Sequence, residues 1–471
     1  MSTAIVWFRR DLRLGDNPAL TAALASSARV IPVYLHDPHN PGGSAGRAWL
    51  YHSLRSLQQN LNRHGSRLII RQGEPGALLD ELIAQTGATV VHWNRVYDPD
   101  GIRRDSAIKA ALIARGLAVH SYNGSLLHEP WNLATTGGEA FRVYTPFSKA
   151  AIRAGIRPAV LPCPAALPPV PPEYDGLTLE ALQLQPRLCW DQGFYRQGLP
   201  GEDTALARLR AFVDDPLHRY DEARNFPDRP GTSGLSPHLA FGEISPGQIM
   251  AALPADADNP GQTVFIRELL WREFAWHLLY HYPHTLDHPL DARFEAFPWA
   301  DAQAENFRAW QRGLTGIPLV DAGMRELWAT GWMHNRVRMV VASFLTKNLL
   351  ISWQQGAAWF MDTLVDADLA NNTLGWQWVA GCGADAAPYF RIFNPVLQAQ
   401  RFDPDGLYTC HWVPELARLP LTWLHRPWEA PTEVLTESGI VPGRDYPLPL
   451  VDLQQSRVRA LETFQTIKTY K

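Results

Sequence analysis

Residues 363–378 combine side chains that could hydrogen-bond a polar ring and stack on it. Within this segment lie two carboxylates, two amides and two indoles, which belong to Asp366, Asp368, Asn371, Asn372, Trp376 and Trp378. Carboxylates and amides can bind the edge of a heterocycle, and a nearby tryptophan can stack on it or pass an electron. One interpretation is a site for a redox-active ring. The other is a buried helix–loop corner in which Asn and Asp only cap the backbone.

A second group of polar and aromatic side chains falls within residues 265–274. Glu268, Trp271 and Arg272 are spaced i, i+3 and i+4, so on a helix they share one face. A carboxylate, an indole and a guanidinium do not form an apolar core stripe. The face is therefore either a solvated ion-pair surface or the border of a polar cavity.

The same spacing recurs in residues 332–339, where Asn335, Arg338 and Met339 align on one helix face. The residues that can form the core-facing side are Leu327, Val340 and Phe344. We expect His334 to be a structural histidine, because the sequence supplies no nucleophile near it.

Residues 231–238 form a loop that is rich in hydroxyl groups and precedes a helical pattern. A hydroxyl-rich turn that opens a helix can bind an anion such as a diphosphate. Plain helix capping by Ser and Thr is the alternative.

The elements that position these groups follow from the spacing of apolar residues. In the first part of the chain, the runs that predict strands are Ala4–Phe8, Val30–Leu35, Arg67–Ile70, Ala88–Trp93 and Leu117–Ser121. The helical patterns that alternate with them are Leu50–Leu61, Ala77–Ala84 and Arg103–Ala114. This alternation predicts parallel strands with crossover helices, and thus a doubly wound, Rossmann-like α/β domain.

Polar residues directly follow the first predicted strand. In doubly wound sheets, ligands bind at the carboxyl ends of the strands, where Asp11, Arg13, Asp16 and Asn17 are expected to lie. Capping and turn formation are the alternative for each of them, and no G-x-G-x-x-G motif is present.

The rest of the chain predicts a connector and a helical domain. Residues 157–187 are rich in proline and predict neither helix nor strand. The helical patterns beyond Glu202 are Thr204–Asp214, Thr263–His281, Val320–Thr330, Met333–Leu350 and Gln355–Val365. A chain of 471 residues is too long for one core. We expect an α/β domain over residues 1–130, a proline-rich connector over 131–200 and an all-α domain over 201–471.

Composition limits the class of protein. The net charge of -4 argues against a surface coated in positive charge but permits a local basic groove. The cysteines are far apart and lack metal-ligand spacing, so we expect reduced thiols and no metal site. No apolar run is long enough to span a membrane, and the first residues resemble a strand rather than a signal peptide. A cytoplasmic protein without a membrane partner is expected.

Taken together, these segments resemble the photolyase/cryptochrome family. The resemblance runs in order from Trp7-Phe-Arg-Arg-Asp-Leu-Arg-Leu14 to Asp385-Ala-Ala-Pro-Tyr-Phe-Arg-Ile-Phe-Asn-Pro395 and covers nearly the whole chain. It implies an N-terminal α/β antenna domain and a C-terminal all-α domain that binds FAD.

The resemblance also implies which residues bind the FAD. Tyr220 and the loop 232–236 would line its adenine and phosphate side, Asp366 and Asp368 would bind its polar edge or ribityl chain, and Asn372 would face flavin N5. Arg338 would pair with Asp366. The implied set is Tyr220, Thr232, Ser233, Gly234, Leu235, Ser236, Phe265, Glu268, Arg272, Asn335, Arg338, Asp366, Asp368 and Asn372.

Two positions indicate the branch of the family. Photolyases carry Asn at the position that faces N5, as Asn372 does here, whereas plant cryptochromes carry Asp and animal cryptochromes Cys. The (6-4) photolyases use two histidines in the segment aligned with Asn335 and Met339, and plant cryptochromes place Asp and an aliphatic residue there. In these respects the chain resembles the bacterial cyclobutane pyrimidine dimer photolyases.

The implied activity is light-driven repair of UV-damaged DNA. Excited, reduced FAD would give one electron to a pyrimidine dimer flipped out of the duplex, and the cyclobutane bonds would open. Glu268 and Asn335 would hydrogen-bond the dimer. The implied DNA-binding residues are Trp271, Arg336, Met339, Trp378 and Arg391, and surface ion pairing is the alternative for the two arginines.

The resemblance implies an electron relay and leaves the antenna open. Trp376, Trp353 and Trp299 match the relay that reduces oxidised FAD under light. An Asn–Glu pair binds folate in some relatives, but Asp100 and Gly101 stand there in this chain. A deazaflavin, another folate mode, FMN or no second chromophore all remain open.

Two other functions compete with repair. A cryptochrome-like blue-light photoreceptor would use the same flavin site and relay but repair nothing. A non-photochemical FAD oxidoreductase would explain neither the tryptophan positions nor the lesion pocket. The features that favour repair are Asn372, Met339, the pocket of Glu268, Trp271 and Trp378, and the ending at Lys471, which leaves little room for a signalling tail. A monomer is expected.

Overall fold

The computed structural model describes residues 2–39, 42–196, 198–255, 258–300, 304–386, 388–389 and 391–468. The chain divides into two compact units. Unit 1 comprises Met1–His218, Ser233–Pro283 and Val365–Asp368, and unit 2 comprises Arg219–Thr232, His284–Leu364 and Leu369–Lys471. The three-part division expected from the sequence stays a prediction.

Unit 1 contains a parallel sheet. Its strands are β1 (Thr3–Phe8), β2 (Arg29–His36), β3 (Ile69–Gln72), β4 (Val90–Asn94) and β5 (Ala118–Tyr122). They are ordered β3-β2-β1-β4-β5, and every pairing is parallel, for example Val6 with Pro32 and Ala4 with Val90. The predicted doubly wound α/β fold is confirmed.

The helices up to residue 281 are α1 (Pro18–Ser26), α2 (Ser44–Arg63), α3 (Pro75–Thr86), α4 (Pro99–Ala114), α5 (Tyr144–Ala154), α6 (Glu202–Asp214), α7 (Tyr220–Ala223), α8 (Ser236–Ala240), α9 (Pro246–Ala252) and α10 (Pro260–His281). Of these, α7 belongs to unit 2. Short 3₁₀ turns lie at Pro130–Asn132, Glu180–Leu182, Gln192–Tyr195 and Pro216–Arg219. The proline-rich residues 157–187 contain only the second of these turns, as their composition predicts.

Both faces of the sheet are buried. Along β1, Ala4, Val6 and Phe8 join one apolar cluster, whereas Ile5 and Trp7 join the other. Successive side chains of a strand point to opposite faces, so each face of β1 packs under its own layer of helices. Continuous apolar strands of this kind are typical of parallel sheets covered on both sides.

A buried amide joins the residues that follow β1. Asn94 Nδ2 donates to Asp11 Oδ2 (2.6 Å) and to Asn17 Oδ1 (2.8 Å). Asn17 Oδ1 also accepts the N–H of Leu20 and thereby caps α1. These groups lie where the strand order reverses, between β1 and β4. Their hydrogen bonds are made to one another and to the start of α1.

Arg13 is fully buried in the same region. Its guanidinium donates to the carbonyl oxygens of Asp16 (2.6 Å), Gly124 (2.6 Å) and Gly242 (3.0 Å). Asp16 has a positive φ of 49° and accepts a hydrogen bond from the hydroxyl of Ser245. Capping and turn formation thus account for the polar residues after the first strand.

Unit 2 is helical in its described residues. After α7, its helices are α11 (Ala304–Arg312), α12 (Pro318–Thr330), α13 (Asn335–Ser343), α14 (Trp353–Thr363), α15 (Leu369–Ala380), α16 (Pro395–Phe402), α17 (Leu407–Trp412), α18 (Leu421–Leu424), α19 (Thr432–Glu437) and α20 (Leu453–Lys468). Short 3₁₀ turns lie at Pro283–Leu286, Ala292–Ala296, Pro414–Leu416 and Pro427–Glu429. No helix among the described residues has the length and apolar character needed to cross a membrane.

The helix predicted over Met333–Leu350 is divided in the structure. It begins as α13 at Asn335, because His334 Nδ1 accepts the N–H of Arg336 and caps it. Its last part is a π-helix, Phe344–Asn348, and Leu350 follows with a positive φ of 56°.

Candidate functional site

One face of α10 carries the three polar and aromatic residues that the sequence aligns. Glu268 and Trp271 are half-buried, and the side chain of Arg272 is 12% exposed. Leu269 and Leu270, which lie between them in the sequence, are buried. The low exposure of the guanidinium contradicts a solvated ion-pair surface and favours a polar environment inside the protein.

Arg272 is bound within unit 1. Its Nη1 donates to the carbonyl of Ser125 (3.0 Å) and to Glu273 Oε1 (3.2 Å). Glu273 Oε2 accepts the N–H groups of Leu127 (2.7 Å) and His128 (3.2 Å). Burial raises the pKa of Glu273 to about 7, and the charge of Arg272 opposes that shift. A contact of Arg272 with FAD stays a prediction.

Trp271 is stacked on an aromatic residue that the sequence did not indicate. The ring centroids of Trp271 and Tyr144 lie 3.8 Å apart, and the planes differ by 4°. Phe141, Tyr144 and Phe147 are spaced by three residues, and this pattern could have indicated a helix face. Nothing in it indicates that the face meets Trp271.

Phe265, also on α10, is 4% exposed and lies 4.6 Å from the ring of Phe212 on α6. It is part of the packing of unit 1. Its predicted contact with FAD stays a prediction.

A hydrogen bond links the hydroxyl-rich loop to residues 363–378. Ser236 Oγ donates to Asp366 Oδ2 (2.7 Å), and Asp366 is 8% exposed. Gly234 has a positive φ of 62°, which only glycine adopts without strain, and Ser233 Oγ accepts the N–H of Leu235 (3.3 Å). The loop opens helix α8 at Ser236, as the sequence predicts.

The loop and the buried carboxylates have the chemistry that FAD requires. Hydroxyls and backbone N–H groups suit a diphosphate, whereas Asp366 and Asp368, each 8% exposed, can accept hydrogen bonds from hydroxyl or N–H groups. These groups of unit 1 are therefore compatible with the cofactor.

Two predicted cofactor residues lie at the ends of the first segment of unit 2. Tyr220 is 8% exposed, and the guanidinium carbon of Arg224 lies 5.6 Å from its ring centroid. Thr232 is half-buried.

Helix α13 has the two faces that its sequence predicts. Asn335 is exposed and Met339 is half-buried, whereas Val337 and Val340 are buried. His334 is 2% exposed, and burial followed by the nearby arginines lowers its pKa to about 4. The neutral ring can then accept the capping N–H, which is the structural role predicted for it.

The arginines of α13 are held by neighbours in unit 2. Arg336 donates to Asn225 Oδ1, and its guanidinium carbon lies 4.3 Å from the ring centroid of Phe402. Arg338 Nε donates to the carbonyl of Met333 (2.7 Å). The predicted pairing of Arg338 with Asp366 stays a prediction.

The exposed Arg391 is anchored through its backbone by a lysine that sequence reasoning missed. Lys347 is fully buried, and its Nζ donates to the carbonyl oxygen of Arg391 (3.0 Å). The ammonium also lies 5.1 Å from the ring centroid of Tyr389. Burial lowers the pKa of Lys347 to about 7. Only its place in a long apolar helical pattern could have drawn attention to it.

Helix α15 carries the predicted N5 residue and two of the indoles. Asn372 is half-buried, and its Nδ2 donates to the carbonyl of Ala357 (3.0 Å) on α14, which fixes the orientation of the amide. Trp378 is half-buried, whereas Trp376 is 2% exposed. Trp376 lies 5.0 Å from the ring of Phe360 at an edge-to-face angle of 73°.

The other predicted relay residues differ in burial. Trp353, the first residue of α14, is 1% exposed. Trp299 is half-buried, and its ring centroid lies 4.3 Å from that of Phe297. The relay through these three indoles stays a prediction.

The residues at the folate-binding position serve the start of α4. Asp98 Oδ1 accepts the N–H of Gly101 (2.7 Å), and Asp100 forms an exposed ion pair with Arg103. A Cβ on Gly101 would lie 2.4 Å from Val96 Cγ2, so a larger residue does not fit there.

Comparison with known proteins gives matches to both parts of the chain. Residues 4–169 match the family described as DNA photolyase, and residues 265–466 match the FAD binding domain of DNA photolyase. The deoxyribodipyrimidine photo-lyase of Agrobacterium fabrum is 47% identical over 470 residues, which are 98% of this chain and 98% of the relative. Cryptochrome-2 of Arabidopsis thaliana is 40% identical over 476 residues, which are 96% of this chain and 77% of the relative.

Comparison with solved structures indicates the same family. A bacterial class III photolyase from Agrobacterium tumefaciens superposes with a TM-score of 0.96 at 46% identity, over 99% of this chain and 98% of that one. Sequence similarity and structure agree along nearly the full length. The chain belongs to the photolyase/cryptochrome family and carries that family's FAD-binding domain.

Proposed function

We propose that this protein is a deoxyribodipyrimidine photo-lyase, which uses light to split cyclobutane pyrimidine dimers in DNA. The observation that carries the proposal is the face of α10, where a half-buried carboxylate, Glu268, lies one turn from a half-buried indole, Trp271. An indole can stack on a pyrimidine while a carboxylate accepts hydrogen bonds from its N–H edge.

Hydroxyl, carboxylate and amide groups would hold FAD in this proposal. The loop 233–236 would bind the diphosphate, and Asp366 and Asp368 would bind the ribityl chain or the polar ring edge. Tyr220 and Thr232 would bind on the adenine side, and Asn372 would present an amide to the flavin. When bound and reduced, FAD supplies the electron that opens the cyclobutane bonds under blue light.

Phe265, Arg272, Asn335 and Arg338 complete the set of cofactor contacts in this proposal. Arg338 and Arg272 bring positive charge that can balance phosphate or carboxylate groups. Asn335 and Glu268 would each contact both the cofactor and the dimer.

The dimer is bound by stacking and by hydrogen bonds. Trp271 and Trp378 each stack on a base, a contact worth roughly 1–3 kcal/mol per base. Flipping a damaged base out of the duplex costs only a few kcal/mol because its pairing is already weak. Two stacked indoles can therefore offset that cost. Met339 adds an apolar contact, and Glu268 and Asn335 orient the dimer edge.

Two arginines bind the DNA backbone beside the lesion. Arg336 is held by Asn225 and Phe402, and Arg391 is exposed on a segment anchored by Lys347. Local contacts of this kind permit DNA binding by a chain whose net charge is -4.

Trp376, Trp353 and Trp299 would pass electrons from an external reductant towards oxidised FAD and so restore its reduced form. We also propose that the protein acts as a monomer. Because the substrate is genomic DNA, we also propose a cytoplasmic location. A second chromophore is left open.

A second candidate function is blue-light signalling without repair, which the 40% identity to a plant cryptochrome favours. The side chains at the substrate position distinguish the two functions. Asn335 and Met339 favour repair, because plant cryptochromes carry Asp and an aliphatic residue there, and the half-buried Trp271 offers a ring on which a pyrimidine can stack.

Repair can be tested directly. The reduced holoprotein is illuminated with an oligonucleotide that contains one thymine dimer, and the return of pyrimidine absorbance is followed. We expect full recovery in blue light, none in darkness and a much slower reaction for Glu268→Gln. Binding and light absorption without recovery would contradict repair and support the signalling function.

A further inference from the structure

Tyr144 contacts Trp271 in two ways. Its ring lies flat on the indole, with centroids 3.8 Å apart and planes 4° apart. Its O–H donates to the carbonyl oxygen of Arg267 (2.9 Å). In an α-helix, that carbonyl also accepts the N–H of residue 271. Tyr144 therefore covers one face of the indole. Its O–H also bonds the carbonyl of Arg267, which accepts the backbone N–H of Trp271.

The ring of Tyr144 is itself held by packing. It is 7% exposed and lies 5.9 Å from Phe274, edge to face at 71°. Phe274 contacts Trp271 at 5.8 Å and 70°, and Phe147 of α5 lies 5.1 Å from Phe274. Side chains in such a close-packed group keep a single rotamer on average. The surface behind the indole is therefore rigid.

The phenol remains a donor at neutral pH. Burial, and then the charge of Glu268, raise the pKa of Tyr144 well above its ordinary value. The phenol therefore stays protonated at neutral pH and keeps its hydrogen bond to the carbonyl of Arg267.

We infer that Tyr144 is a positioning residue for lesion binding, which closes one face of Trp271 and fixes the indole so that a damaged pyrimidine stacks on its other face. The inference rests on the proposed function, in which Trp271 stacks on the dimer. Fixing an aromatic side chain before binding removes part of the ordering cost from the binding step. Closing one face also limits the indole to one base.

The test measures the affinity of the dark, oxidised holoprotein for an oligonucleotide with one thymine dimer. Tyr144→Leu removes the stacked ring, and Tyr144→Phe keeps the ring but removes the O–H. We expect Tyr144→Leu to weaken binding about tenfold, in line with the value of an aromatic pair. Tyr144→Phe should bind within about threefold of the unchanged protein, and both variants should split dimers at the unchanged rate when DNA is saturating.

A matched control separates positioning from general loss of stability. Tyr195 also pairs with an aromatic ring, that of His52 at 4.5 Å, and donates its O–H to Asp191 (2.8 Å). Tyr195→Leu should lower the melting temperature without weakening dimer binding. Equal weakening in both Tyr→Leu variants would overturn the inference, because it would show a stability effect alone.

The decisive measurement is a double-mutant cycle. Because Tyr144 acts through the indole, Tyr144→Leu should have no further effect on affinity once Trp271→Ala is present. A Tyr144→Leu protein that binds as tightly as the unchanged protein, or additive losses in the double variant, would overturn the inference while Trp271→Ala still supports the proposed function. If neither the unchanged protein nor Trp271→Ala prefers dimer-containing DNA, the proposed function fails and the inference with it.

Discussion

A Cβ on Gly356 would lie 2.1 Å from Cη2 of Trp376, far inside van der Waals contact. Gly356 lies on α14 and Trp376 on α15, so the absence of a side chain on one helix makes room for the indole of the other. Trp376 is thereby held at 5.0 Å from Phe360 and at 6.2 Å from Trp310.

Gly356→Ala should displace the indole and slow the photoreduction of oxidised FAD. Overpacking of this kind costs about 1–3 kcal/mol of stability. Photoreduction is followed by flavin absorbance under blue light with an external donor. Gly375→Ala is the control, because Gly375 lies on α15, is exposed and has no neighbour within 4 Å of its added Cβ. Photoreduction at the unchanged rate in Gly356→Ala would show that the position of Trp376 is unimportant.

Trp376→Phe should block photoreduction but not repair. The relay only restores reduced FAD, so chemical reduction should bypass the missing indole. We expect no light-driven reduction in this variant and normal splitting of dimers after reduction with dithionite. Normal photoreduction would refute the assignment of Trp376 to the relay.

Ser236→Ala should weaken FAD binding by about tenfold. Ser236 donates to the buried carboxylate of Asp366, and a hydrogen bond to a charged group contributes about 1.5–3 kcal/mol. The measurement is the FAD content of the purified protein and its dissociation constant by flavin fluorescence. Ser26→Ala, which gives up a 2.8 Å hydrogen bond to the carbonyl of Ala22 on α1, should change little. Equal effects of the two variants would argue against a specific role for the Ser236–Asp366 pair.

Glu273→Gln should flatten the dependence of stability on pH. Burial raises the pKa of Glu273 from its ordinary value of 4.5 to about 7 in the folded state. The folded protein therefore holds this proton more tightly, and its stabilising effect is full below pH 4.5 and lost as the pH rises through about 7. The loss is at most roughly 3 kcal/mol.

The melting temperature of the holoprotein, measured from pH 4.5 to 8, checks this sign. The amide has only one oxygen and cannot accept all the hydrogen bonds that Glu273 accepts, so the variant is also less stable by an offset. The slope of the melting temperature against pH therefore carries the result. Relative to the unchanged protein, the melting temperature of Glu273→Gln should become higher as the pH rises. A difference that is constant over this range would contradict the raised pKa.

Arg336→Gln should weaken DNA binding in a way that depends on salt. A single phosphate contact contributes about 0.9 to the slope of log K against log salt concentration. The variant should therefore lose affinity for damaged and undamaged DNA alike, and its slope should fall by about 0.9. Arg115→Gln, which removes an arginine 46% exposed and paired with Asp80, is the control. An unchanged slope in Arg336→Gln would assign that arginine to packing on Asn225 and Phe402 alone.

The sequence predicted whether an element is a strand or a helix better than it predicted the first and last residues of that element. Apolar runs identified every strand, but β3 lies two residues later than expected, because its edge position leaves Arg71 and Gln72 polar. Helices α3 and α4 begin earlier than predicted, since Glu74 and Asp98 cap them and a proline stands at each first position. Helix α1 was missed because its short, alanine-rich sequence has no marked apolar stripe.

For the candidate site, the sequence predicted which residues share a helix face but not which distant residues contact them. Helical spacing correctly aligned Glu268, Trp271 and Arg272, because side chains on one helix keep a fixed period. The stack of Tyr144 on Trp271 joins residues far apart in the sequence, and so does the bond between Ser236 and Asp366. Such pairs depend on how helices pack, and local spacing does not encode that. The contact of Arg272 with the carbonyl of Ser125 was missed for the same reason.

The network of Asn94, Asp11 and Asn17 has a consequence for light harvesting. In mononucleotide folds, the place where the strand order reverses is the usual seat of a ligand. Here it is filled by buried amide and carboxylate groups that already satisfy one another. A pigment that bound in the crevice above that reversal would therefore have to be held by other side chains or by backbone groups, since these three already hydrogen-bond one another.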